Sequence, residues 1–136
     1  MPLFSLRTGL LAMVAALLLW GCSSPATKAN ARLDHDLHEY CLMLRWKDWH
    51  GIGKLLPPEY GDAFVKRMKE VSDQLNMADV RLEQVRGNEK GEQISQITVE
   101  YFLMPSPRLL KTELEQTWKT SGGVWMLTED FPANFP

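Results

Sequence analysis

The stretch Leu110-Lys111-Thr112-Glu113-Leu114-Glu115-Gln116-Thr117-Trp118-Lys119 decides the fold. Leu110, Thr112, Leu114, Gln116 and Trp118 alternate with Lys111, Glu113, Glu115, Thr117 and Lys119. A period of two sends the first set to one face of a β-strand and the second set to the other. One face is buried and the other solvated, as antiparallel sheets allow. The same pattern continues on both sides. Upstream, Ile97, Val99, Tyr101 and Leu103 share a face, with Thr98, Glu100 and Phe102 opposite, and Pro105-Ser106-Pro107 breaks the strand. A further strand runs from Val80 through Leu82 to Val85, and the polar, glycine-bearing segment from Arg86 to Gly91 reads as its hairpin loop. Downstream, Ser121-Gly122-Gly123 turns the chain into Val124-Trp125-Met126-Leu127-Thr128.

Before these strands the period is helical. Leu33, Leu37, Tyr40 and Leu44 recur on one face of a helix predicted over about Ala31 to Trp46. Asp48 can cap a shorter helix carrying Trp49, Ile52, Leu55 and Leu56, which Pro57-Pro58 ends. A third helix is predicted over about Glu59 to Leu75, with Phe64, Met68, Val71 and Leu75 on its face and Asn76 as its stop. Three helices followed by an antiparallel meander of about four strands make an α+β fold.

The chain opens differently. Arg7 precedes an apolar run from Gly9 to Trp20, followed by Gly21-Cys22-Ser23-Ser24. The run is short of the about 20 apolar residues a spanning helix needs, and it has the layout of a secretory signal peptide. Leu19-Trp20-Gly21-Cys22 resembles the lipobox of bacterial lipoproteins. That resemblance implies acylation of the Cys22 thiol, cleavage after Gly21, and a lipid anchor in the membrane. With Ser23 after the cysteine, it implies the outer membrane, the domain facing the periplasm. The organisation expected is a signal peptide over 1–21, a lipidated polar tether over 22–30 and one domain over 31–136.

Residues 22–136 are enough for one domain with its own core. Of the chain's 15 basic residues only Arg7 lies in the signal segment, and all 17 acidic residues lie outside it. That near-neutral balance argues against a nucleic-acid partner, which needs a concentrated basic surface. With Cys22 carrying lipid, Cys41 has no cysteine partner. It lies in the apolar run from Tyr40 to Leu44 and reads as a buried thiol.

The order of the elements resembles the NTF2-like, cone-shaped α+β superfamily. Leu44-Arg45-Trp46-Lys47-Asp48-Trp49, followed by Leu55-Leu56-Pro57-Pro58-Glu59, is similar to its passage from first to second helix. Trp118 and Trp125, flanking Gly122-Gly123, are similar to its last hairpin. The resemblance spans roughly Leu33 to Phe131, and more narrowly it is to small proteobacterial lipoproteins carrying this domain. It implies a cone whose cavity candidates are Tyr40, Val99, Tyr101, Thr112, Leu114, Gln116 and Trp118. Enzymes of the superfamily place an Asp base or an Asp–His pair inside the cone. The inward-facing set here includes no Asp, Glu or His, so it can orient a ligand and has no group to move a proton at neutral pH.

Other candidates are weaker. Asp34-His35-Asp36-Leu37-His38-Glu39 holds two histidines three apart, but a metal would need a second ligand segment. We expect no metal and no cofactor. His50-Gly51-Ile52-Gly53-Lys54 lacks the first glycine and the final Ser or Thr of a phosphate loop. Lys66, Arg67 and Lys69 form a small basic patch suited to anionic headgroups near the anchor. The tail Phe131-Pro132-Ala133-Asn134-Phe135-Pro136 either folds back on the sheet or presents two aromatic anchors. The expected role is a membrane-anchored, non-enzymatic binding or assembly module of the envelope, partnered by the membrane and by an envelope protein or a second copy. Exposed Phe102, Met104 or Trp125 on the outer sheet face would mark the contact surface. The alternative is a small apolar-ligand binder, or an isomerase- or dehydratase-like enzyme, using the cone.

Overall fold

Helices precede strands, as the change of period predicts. The computed structural model describes residues 25–136, with side chains described from Ala31 onward. The signal segment and Cys22 lie outside the described residues. The chain divides into two compact units, Met1–Ala31 and Arg32–Pro136, and the packing below belongs to the second. Helix α1 covers Pro25–Trp46, α2 Trp49–Gly53 and α3 Pro58–Val71. Strands β1 (Leu75–Gly87), β2 (Gln93–Leu103), β3 (Leu110–Ser121) and β4 (Val124–Leu127) form an open antiparallel sheet in chain order.

Helix α1 begins at Pro25, not Ala31, so most of the segment expected to be a tether is helical. Pro25 is pre-set for the first helical position, and Ala26, Lys28, Ala29 and Ala31 are strong helix formers. The far end of α1 is a Schellman motif. Lys47 N–H donates to the Leu44 carbonyl at 3.2 Å, and Asp48 N–H to the Met43 carbonyl at 2.8 Å. The motif needs a left-handed residue, and Lys47 supplies it at φ 57° where glycine is usual. The Lys47 ammonium offsets that strain by donating to the carbonyls of Ser72 (2.9 Å) and Leu75 (3.1 Å). Those bonds, with Trp49 Nε1–H on Ser72 Oγ at 3.2 Å, hold the passage from α3 into β1.

Asp48 caps α2 as predicted, its Oδ1 accepting from Gly51 N–H at 2.9 Å. Helix α3 ends at Val71, four residues before the expected Leu75, which instead opens β1 and is fully buried. Asn76 is therefore a strand residue and not a helix stop. Helices α2 and α3 cross with their backbones nearly touching. A Cβ built on Gly61 would lie 2.6 Å from the Gly53 carbonyl oxygen, and one on Gly53 would lie 2.7 Å from Val65 Cγ2.

Strand β1 starts five residues earlier than expected and is interrupted twice, with register shifts between Met77 and Asp79 and between Leu82 and Gln84. Each bulge adds local twist and bends the strand, which curves the sheet. The bulges also preserve the inner face: Met77, Val80, Leu82 and Val85 stand opposite Tyr101, Val99, Ile97 and Ser95. Between β3 and β4, Gly122 (φ 58°) and Gly123 (φ 80°) form the two-residue turn that left-handed glycines favour.

Substituting Gly61→Ala forces a Cβ onto backbone that cannot yield. We expect a loss of about 1–3 kcal/mol. The check is the urea midpoint of the purified domain, with an unchanged slope.

Candidate functional site

The concave face of the sheet brings the expected cavity residues together. Tyr40 comes from α1, Val99 and Tyr101 from β2, and Thr112, Leu114, Gln116 and Trp118 from β3. All are buried except Thr112, which is half-buried. The Tyr40 hydroxyl donates to Gln116 Oε1 at 2.9 Å, and its ring meets Trp118 edge-on with centroids 4.9 Å apart. Trp118 Nε1–H donates to Ser95 Oγ at 2.8 Å, and Ser95 Oγ–H points to the Gln116 carbonyl at 3.4 Å. Tyr101 and Thr112 hydroxyls lie 3.4 Å apart. Ser95, fully buried, is a site residue that the sequence reading passes over, although it precedes Ile97 by two and so shares its face. Gln116 Nε2 stands apart: among the described residues it is the buried side-chain nitrogen or oxygen that has no hydrogen-bond partner. A cavity of about 210 Å³ lies beside Gln116, walled also by Leu127, Glu129, Asp130 and Pro132.

The tail folds back. Phe131 stacks on Phe64 of α3 with centroids 4.8 Å apart, and Phe135 meets Tyr101 edge-on at 5.0 Å. Both rings are buried, at 2% and 1% exposure. Their own centroids lie 6.0 Å apart, so together they bridge α3 and β2. The tail adds no strand. It is held by rings and by Asn134 Nδ2–H on the Glu113 carbonyl at 3.4 Å, while Phe131 N–H on Asp130 Oδ1 at 2.7 Å fixes the turn into it.

The outer face of the sheet is charged. Asp79 pairs with Arg81, Arg81 with Glu100 at 3.4 Å, and Arg86 with Glu115 at 3.2 Å, while Arg45 of α1 reaches Asp79 at 2.7 Å. Arg81, then the Val80 N–H and last Arg45, holds the Asp79 carboxyl below its ordinary range. Trp125 is not on this face. It pairs with Thr120 in the register that sets Trp118 opposite Leu127, so both tryptophans point inward. Phe102 is half-buried, and Met104 is exposed in the loop after β2 rather than on the sheet.

Lys66, Arg67 and Lys69 are exposed on α3, with the Arg67 guanidinium 5.9 Å from the centre of the Phe64 ring. Along α1, His38 Nδ1–H donates to the Asp34 carbonyl at 3.0 Å, and no three metal-ligating side chains converge among the described residues. The most exposed large apolar side chain there is Trp46, at 77%, with Leu42 one turn before it at 46%. A helical wheel sets both opposite Leu33, Leu37, Tyr40 and Leu44, and this signal was legible in the sequence.

Cys41 is half-buried rather than buried. Burial pushes its thiol from the ordinary 9.0 up to about 11, against the pull of Arg45. Burial also drives the Tyr40 phenol well above its ordinary 10.0. The folded chain keeps both protons where the unfolded chain releases them. Stability from these two groups is therefore full below about pH 9 and is lost as pH rises further. Urea titrations between about pH 8 and about pH 11 should show that decline, and Cys41→Ala should remove its first part. A flat profile would contradict the burial. Independently, Phe135→Ala should lower stability by about 3–5 kcal/mol, read from the same titrations at neutral pH.

Comparison of the chain with protein-family models, with curated proteins and with solved structures finds no match.

Proposed function

We propose that this chain is a bacterial lipoprotein with an NTF2-like domain that serves as a non-enzymatic binding or assembly module of the cell envelope. In this reading residues 1–21 are the signal peptide. Acylated Cys22 anchors the domain to the outer membrane, facing the periplasm, and the partner is an envelope protein or a second copy. The supporting observation is the closure of the concave face by the chain's own tail, Phe131 on Phe64 and Phe135 on Tyr101. A cone filled by its own aromatic rings works through its surface. The charged outer face moves the contact surface to the margins of the sheet, towards exposed apolar positions such as Met104 and Leu109 in the loop after β2 and Val124 at the start of β4.

The test places a photo-crosslinking amino acid at Met104, Leu109 and Val124 in turn and irradiates intact cells. A discrete protein adduct at one or more of these positions is expected. Absence of adducts at all three, with the protein intact in the envelope, would contradict the module reading.

A second reading, a carrier of a small apolar molecule, is favoured by Gln116 Nε2. A buried donor without an acceptor costs about 1–3 kcal/mol, and a ligand oxygen would relieve it. Native mass spectrometry of protein taken gently from envelopes should then show a small-molecule adduct that is missing in Tyr40→Phe/Gln116→Leu. If the donor is merely a core imperfection, no adduct appears and the double variant is as stable as the parent or more so, since both polar partners go together.

A further inference from the structure

Helix α1 has a second apolar patch, on the side turned from the core. Leu33, Leu37, Tyr40 and Leu44 are buried, while Leu42 and Trp46 point the other way. The remaining indoles among the described side chains, Trp49, Trp118 and Trp125, are 4%, 2% and 5% exposed, against 77% for Trp46. Ala31, His35, His38 and Glu39 continue the outward side of the helix towards its start, all of them exposed. The cations that flank Trp46 are engaged within the domain: Arg45 with Asp79, and Lys47 with the carbonyls of Ser72 and Leu75.

We propose that this side of α1 rests on the lipid bilayer, with Leu42 and Trp46 at the boundary between headgroups and acyl chains. The proposal rests on reading Cys22 as the acylated first residue. Only Ser23 and Ser24 separate Cys22 from Pro25, where α1 begins. Three residues of chain reach about 10 Å, so the start of the helix stays within that distance of the membrane. Helix α1 runs for 22 residues, and its part within the domain, from Arg32 to Trp46, rises about 21 Å. A helix tethered so closely to the membrane has its free side available to the bilayer, and within the domain that side is the one bearing Leu42 and Trp46. An indole has an apolar body and a polar N–H, and it favours that boundary. The tether also keeps the local lipid concentration high, so a weak apolar contact suffices. Because Arg45 and Lys47 are engaged, the contact is apolar in origin and needs no anionic lipid.

The test reconstitutes the full acylated protein into phosphatidylcholine vesicles whose acyl chains are brominated near the headgroup. Trp46 is the indole open to such a quencher among those described. Tryptophan emission should fall relative to unbrominated vesicles. The loss should vanish in Trp46→Phe, which should keep the parent's unfolding midpoint, and should persist in Tyr60→Ser, which alters an exposed apolar residue on α3. An intact mass lacking acyl chains on Cys22 would overturn the anchor and this proposal with it. Acylated protein whose emission is unchanged by bromination would overturn this proposal alone. So would quenching that survives Trp46→Phe. A Trp46-dependent dimer in sedimentation with no quenching would assign the patch to a second copy, and would also overturn it.

Discussion

An open four-stranded sheet with one apolar face must be covered, and the rest of this structure follows from how that is done. The concave face carries Ile97, Val99, Tyr101, Leu114 and Trp118, each at most 5% exposed. Two elements from opposite ends of the chain cover it. Helix α1 brings Tyr40 onto Trp118 and Gln116, and the tail brings Phe135 onto Tyr101. Burying such rings stabilises by about 2–3 kcal/mol each, a large part of the net stability of a small domain.

The polar groups inside this cover are few and nearly all matched. Tyr40 satisfies Gln116 Oε1, and Ser95 satisfies the Trp118 indole. The unmatched Gln116 Nε2 is the exception, and it sits where helix, sheet and tail converge. The outer face follows different rules. Its charges run in cross-strand pairs, Arg81 to Glu100 and Arg86 to Glu115, at exposed positions where each pair contributes little. Such pairs keep this face of the antiparallel sheet in water.

Much of this was legible in the residues. The alternation in β2 and β3 set Val99, Tyr101, Thr112, Leu114, Gln116 and Trp118 on one face, because a period of two leaves no freedom once one face is buried. Trp125 was legible too: a two-residue turn at Gly122-Gly123 sets Thr120 opposite Trp125, and Thr120 shares its face with Trp118. Other features were hidden. The β1 bulges break the alternation, so the strand is recognisable only from Val80 on, and Leu75 keeps step with the α3 stripe by coincidence. The left-handed Lys47 carries no local signal, since what stabilises it is a pair of carbonyls 25 and 28 residues away. The closeness of Gly53 and Gly61 likewise depends on how two helices cross.

The tail is part of the core and covers the inner face of the sheet. Native-state hydrogen exchange measures this most directly. The amides of Phe131 and Phe135 should exchange through the same cooperative opening as those of β2 and β3, with matching free energies and denaturant slopes. If the tail amides instead exchange by a separate low-energy opening, while the sheet amides stay protected, the tail is an accessory and the account of the fold is wrong.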